Sequence, residues 1–471
     1  MIFTEFRFVV FFALVFAVHW ALRANTARKA WLLGASWFFY AAWDWRFLGL
    51  ILFSTVVDYA VGAGLAREDR AGRRKLLLFV SLAGNLGLLG VFKYFDFFVT
   101  SGASILGLLG LDVSPRTLGW ILPVGISFYT FQTLSYTIDV YRRSLEPARS
   151  FLDFALFVGF FPQLVAGPIV RASHFLPQLV DSKRFVNVDV RACLVLFLIG
   201  FVKKAVVSDH VATVTDAVFA APAAYTAASN WIALFLYHAQ IYCDFSGYSD
   251  MAIATAGLFG YHLPLNFDFP FFARNIAEFW RKWHITLSTW FRDYLYVSLG
   301  GSRGSTLWQG IAVGSATMMV CGLWHGAGWQ YVGFGVLMSS AIALSRLWDH
   351  FVPKESGVRR FVHFLGIPIM WWFLFVNWIV FRAVSWDTAM EMFAIFFFVG
   401  ETGARSVNPG WMLVFGAFFA AHCGLYFGVL QRLGARLFRS DLAYSAGLGV
   451  ATAVVLVLMA VDYQPFIYFQ F

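Results

Sequence analysis

The sequence predicts an all-α protein: a polytopic transmembrane helical bundle of about eleven spans, with re-entrant or interfacial helices, around a central cavity or tunnel. Three observations lead there. First, the 471 residues are 60% hydrophobic, 20% aromatic and only 13% charged, against about 25% charged in soluble domains. The mean hydropathy is +0.70. Second, apolar stretches recur at 6–22, 47–65, 76–91, 361–380, 411–430 and 443–461. Each is long enough, or nearly so, to cross about 30 Å of hydrocarbon at about 1.5 Å per residue. Third, these runs are unbroken rather than alternating, and lipid gives backbone amides no partner, so helices are favoured over a barrel.

The elements follow in order. The run at 6–22 is read as a retained first span: Glu5 and Arg7 make a poor signal-peptide start, and no convincing small-residue cleavage site follows His19-Trp20. Basic residues then cluster in the loops at Arg23/Arg28/Lys29, at Arg67/Arg70/Arg73/Arg74/Lys75 and at Arg142/Arg143/Arg149. An even number of plausible crossings separates each from the next, so all three fit on the cytoplasmic face. That places the N-terminus outside, with Asp44-Trp45-Arg46 and residues 101–116 at the opposite face. The net charge of +9 is thus the distribution membrane insertion demands, and no nucleic-acid partner is expected. Cys193, Cys243, Cys321 and Cys423 are dispersed without CxxC spacing, which argues against a disulfide frame or a zinc site.

No internal repeat or Gly/Ser-rich linker divides the chain, so a single domain over 1–471 is expected, with its catalytic core at about 120–345. Three stretches, 151–191, 244–299 and 300–329, are too polar or too interrupted by Gly and Pro to face lipid throughout. Such backbone is tolerated where protein or water surrounds it, so these stretches should line the interior.

Among ten histidines, His19, His174, His210, His350 and His363 fall near span ends or in loops. His238, His262 and His422 suit hydrogen-bonded helix packing. His325 differs, because it lies in Cys321-Gly322-Leu323-Trp324-His325-Gly326-Ala327-Gly328 between apolar stretches. Three glycines remove side chains that would block an approaching molecule, and a neutral imidazole there has a lone pair for a proton. His325 is the leading general-base candidate; the alternative is a packing histidine with glycines for close contact.

His284 lies in the stretch from Glu278 to Tyr294. Read as one helix, Glu278 and Lys282 form an i,i+4 pair, while Trp280, His284 and Ser288 share a face. Arg281, Lys282 and Arg292 are candidates for donor phosphates, or for anchoring the helix at a headgroup layer. The Gly300–Gly304 turn adds Arg303 but lacks the Walker-A lysine pattern. A third constellation, Asp244-Phe245-Ser246-Gly247-Tyr248-Ser249-Asp250, sets two carboxylates and two serines between apolar segments. Asp244, Ser246 and Asp250 either stitch the bundle or orient a catalytic histidine. There is no GxSxG elbow, no HExxH and no plausible metal-ligand run.

Taken in order, six segments resemble the membrane-bound O-acyltransferase family, in its bacterial alginate O-acetylation branch. They are residues 122–129 (LPVGISFY), 161–168 (FPQLVAGP), 244–250 (DFSGYSD), 278–296, 323–326 (LWHG) and 465–469 (PFIYF). Cys321 and Ser298 depart from residues common in relatives, and both are small. The resemblance implies that His325 is the catalytic histidine and His284 the second functional one; Trp324, next to His325 in the sequence, is a candidate substrate-binding residue.

It further implies no bound cofactor, a cytoplasmic acyl thioester donor such as acetyl-CoA, and an extracytoplasmic acceptor in exopolysaccharide O-acetylation. A periplasmic or membrane-anchored acetyltransferase partner would receive the acyl group, since the chain lacks a sizeable extracytoplasmic domain to grip a glycan. The expected location is the bacterial inner membrane. Two alternatives from other classes are a multi-span transporter, which would show flux without thioester consumption, and a non-catalytic scaffold of polysaccharide export, which would tolerate histidine substitution.

Overall fold

A computed structural model describes every residue except Arg303, Phe438, 461–465 and 467–471. The Arg303 cation, the last residue of the 443–461 run, and the 465–469 motif apart from Phe466 therefore lie outside the described residues. Every regular element among the described residues is helical, as the need to satisfy backbone groups inside lipid requires. The protein is a multi-pass membrane protein. Five helical stretches are long and apolar enough to cross: Asn25–Arg67, Ala71–Leu108, Leu307–His325, Trp329–Phe351 and Asp441–Leu458. Two bent pairs raise this to seven, Gly357–Phe364 with Gly366–Arg382 (59°) and Trp411–Tyr426 with Val429–Leu437 (80°).

That is fewer than the eleven or so expected, and length explains part of the difference. Phe6–Ala21 and Ile126–Tyr141 have only 16 residues each, about 24 Å of helix. Asn25–Arg67 contains two 20-residue helices joined by the 3-10 turn Trp45–Phe47. The apolar runs at 361–380 and 411–430 are bent instead of straight: one breaks at Leu365, the other at Phe427 and Gly428.

The described residues gather into two compact units. The first comprises Met1–Cys193, Ala252–Pro264 and Arg292–Tyr294. Its basic loops meet at one end, as the charge pattern predicts. Arg74 donates to the carbonyls of Leu65 and Tyr141, Arg143 pairs with Asp69 at 2.9 Å, and Lys29 with Asp153 at 2.6 Å. Residues 154–170 are buried throughout. Gly125, at φ +77°, sits where a Cβ would lie 2.6 Å from the Leu164 carbonyl oxygen, so two of the quoted segments, 122–129 and 161–168, pack backbone to backbone there. Asp58 ties three helices together. It accepts from Ser81, from Asn85 Nδ2 (2.8 Å) and from Thr137 (3.0 Å). His19, expected at an interface, is fully buried, edge-on to Trp20 and Phe259 at 4.8 and 5.1 Å. Aromatic neighbours, not headgroups, hold it.

The second unit comprises Leu194–Met251, Leu265–Phe291 and Leu295–Phe471. Its backbone element is residues 227–251, the larger part of the 32-residue helix Ala227–Leu258, which is longer than the roughly 20 residues a bilayer needs. The helix Val190–Phe201, which leads directly into the π-helical segment Val202–Ser208, crosses it at Gly200 and Gly247, where a Cβ on either would lie 2.6 Å from the other's carbonyl oxygen. That close approach sets Lys203 and Lys204 against the carboxylates of the long helix.

Candidate functional site

The site is built from three segments of the second unit. His325 is the last residue of the helix Leu307–His325, and Trp329–Phe351 follows after a three-residue link. The glycines beside it do not leave space. A Cβ on Gly322 would lie 2.9 Å from Gly335 Cα, and one on Gly326 would strike the Tyr331 ring. They let the two helices close on each other, which is the packing role rather than the substrate-access role. His325 itself is only 3% exposed. Trp324, Phe381 and Phe334 stand around its ring at 4.9, 5.1 and 5.5 Å, and Cys321 Sγ lies 4.0 Å from Nε2.

His284 is reached differently. Glu278 and Lys282 do pair, at 3.3 Å, but the helix Ile276–Lys282 then ends and a new one, Ile285–Trp290, begins. His284 lies between them at φ 42°, ψ 55°, a left-handed conformation that costs a non-glycine residue about 1–3 kcal/mol. The expected single helical face of Trp280, His284 and Ser288 is therefore broken. Ser288 Oγ instead donates to the carbonyls of Trp283 and His284.

Asn266 holds the break in place. Its carbonyl accepts from Ile285 N–H at 2.9 Å, and its Oδ1 accepts from the Thr286 N–H and hydroxyl at 3.3 and 2.9 Å. His284 Nδ1 is 3.1 Å from the same oxygen. The Thr286 N–H can only donate, which identifies that atom as oxygen; Nδ1 must then carry the hydrogen, and Nε2 the lone pair. His284 is fully buried, with Phe245 edge-on at 4.6 Å and Trp324 at 5.9 Å. Trp324 thus touches both imidazoles.

The remaining sequence candidates divide. Asp244 is tied at 2.6 Å to Lys204, which also reaches Asp209 at 2.7 Å, and Asp250 pairs with Lys203 at 2.6 Å. Both carboxylates therefore stitch the long helix to the π-helical segment, and Ser246 is buried between them. Lys282 is paired with Glu278 and lies over the Tyr426 ring, while Arg281 is exposed. Arg292 belongs to the first unit and pairs with Asp293, which also binds Arg171 at 2.7 Å. Partial burial pushes the Asp293 carboxyl up, but the hydrogen bonds from Arg292 and Arg171 outweigh it and hold it below the ordinary range.

Sequence reasoning missed Asn266, Lys203 and Lys204. Only the two lysines left a signal, as adjacent charges inside the apolar run from Leu194 to Val207.

Residues 142–386, about half the chain, match the membrane-bound O-acyltransferase family. The chain is 38% identical to a probable alginate O-acetylase of Azotobacter vinelandii, over 87% of this chain and 80% of that one. It is 36% identical to a peptidoglycan O-acetyltransferase of Helicobacter pylori, over 77% and 72%. A teichoic acid D-alanyltransferase of Streptococcus thermophilus is 27% identical, over 56% and 66%.

Proposed function

The chain belongs to the membrane-bound O-acyltransferase family and is an O-acyltransferase, and from that premise we propose that it moves an acetyl group from cytoplasmic acetyl-CoA to an extracytoplasmic acceptor. The pathway is O-acetylation of an exopolysaccharide such as alginate, in the bacterial inner membrane. The supporting observation is the buried pair His284 and His325 joined by Trp324.

In the proposed step, the acceptor hydroxyl oxygen attacks the thioester carbonyl while its proton passes to His325. The carbon–sulfur bond then breaks, the acyl group stays on the acceptor oxygen, and the thiolate leaves and takes a proton from the imidazolium. The products are an O-acyl ester and free CoA thiol, and His325 returns to its starting state. His284, with its lone pair on Nε2, accepts the acceptor's hydrogen bond and orients it. Base assistance of this kind supplies about 10²–10⁴-fold, and positioning supplies the rest. Arg281 and Lys282 are candidate contacts for the donor's phosphates.

A periplasmic or membrane-anchored acetyltransferase would then pass the group to the glycan. Proteoliposomes given acetyl-CoA on the face of the basic loops, with the partner on the other, should release CoA thiol and acetylate glycan only when both proteins are present. Direct glycan acetylation by the purified chain alone would contradict the relay.

A further inference from the structure

His238 lies on the long helix Ala227–Leu258 and is fully buried. Its ring lies tilted against Phe271 at 3.8 Å and Trp371 at 4.7 Å. The Trp378 indole N–H donates to its Nδ1 at 3.0 Å. Because an indole nitrogen can only donate, Nδ1 is the acceptor and the hydrogen of the neutral ring sits on Nε2. That Nε2 has no hydrogen-bond partner among the described residues. Volume alone would be filled by Leu or Phe without leaving a buried N–H unmet. Something therefore depends on the Nδ1 acceptor, and its one visible consequence is to fix the rotation of Trp378.

Trp378, 2% exposed, reaches both halves of the proposed site. Its ring packs on Trp283 at 5.6 Å, the residue immediately before the left-handed His284. It also meets Phe381 edge-on at 6.1 Å, and Phe381 stands edge-on to His325 at 5.1 Å. One indole thus supports the segment bearing His284 and the wall of His325.

We propose that His238 is a positioning residue: by accepting the Trp378 N–H it locks the strut that sets His284 and His325 at their working separation. This rests on the acyl-transfer reading above. A displacement of about 1 Å at a reacting group can cost about 100-fold in rate, so a strut that is loosened without collapsing should register in turnover.

The test uses the full chain in proteoliposomes with acetyl-CoA on the face of the basic loops and the partner acetyltransferase with glycan on the other, comparing His238→Leu, His238→Asn, Trp378→Phe and the Leu/Phe double variant, each checked for folding by gel filtration and thermal melting. His238→Leu and Trp378→Phe should each lower kcat about tenfold, with KM for the thioester within about twofold. The double variant should be no worse than either single one, since both break the same bond. His238→Asn, whose Oδ1 takes the place of Nδ1, should recover most of the loss. A folded His238→Leu with normal kcat, losses that multiply in the double variant, or no recovery with Asn would overturn the proposal. Should His238→Leu fail to fold, His238→Asn against Trp378→Phe decides between the same outcomes. His325→Ala separates the two levels: if it turns over normally the acyl-transfer reading fails, whereas an inactive His325→Ala beside a fully active His238→Leu sinks only the strut.

Discussion

Two buried polar clusters in this molecule are built on opposite plans. In the first unit Asp58 is answered by hydroxyl and amide groups, with Ser81, Asn85 and Thr137 from two other helices donating to it and Thr133 donating on to Asn85. In the second unit His284 and His325 are walled by the rings of Phe245, Trp324, Phe334 and Phe381, and the amide oxygen of Asn266 anchors His284. A closed hydrogen-bond network inside a membrane fixes helices to one another. An imidazole held by ring edges is oriented in a water-poor setting while its chemistry stays that of an imidazole. The first plan suits a stitch and the second a reaction.

That contrast can be broken in three ways. The largest effect is expected at Asp58→Ala, which leaves several buried donors unmet at about 1–3 kcal/mol each. Thermal melting of the purified protein should fall clearly, while the protein that stays folded keeps its turnover. If turnover collapsed with stability intact, Asp58 would belong to the site and not to the stitch. Asn266→Ala should do the reverse, lowering turnover about 10–100-fold, as loss of an orienting partner does, with a smaller change in melting. Equal loss in both readouts would erase the distinction.

The smallest effect concerns Asp293. Its folded-state pKa lies below the ordinary carboxylate value, so its contribution to stability is present above about pH 4 and is lost as the pH falls below that. Asp293→Asn should therefore melt at a temperature less sensitive to acid between about pH 5 and pH 3 than the parent chain.

Legibility in the sequence followed the length scale of the cause. The helical bundle and the meeting of the basic loops follow from hydropathy and charge, which act over a few neighbouring residues. The break at His284 does not. Trp283-His284-Ile285 contains no Gly, Asn or Pro to announce a left-handed residue, and the Glu278–Lys282 pair argued for a continuous helix. What permits the break is Asn266, 18 residues upstream. Likewise the sequence leaves Asp244 and Asp250 between stitching the bundle and orienting a histidine, and only the contacts with Lys204 and Lys203 decide for the stitch. Gly322 and Gly326 looked like open space until Gly335 and Tyr331 filled it. Each correction is a contact between segments, which spacing along the chain cannot disclose.

The central claim is that the two buried histidines carry acyl transfer. The direct measurement is release of CoA thiol from acetyl-CoA by the chain with its acceptor in proteoliposomes, comparing His325→Ala with the parent at equal folded protein. Loss of about 10²–10⁴-fold in turnover with little change in melting is expected. A folded His325→Ala that released thiol and acylated acceptor at the parent rate would contradict the account.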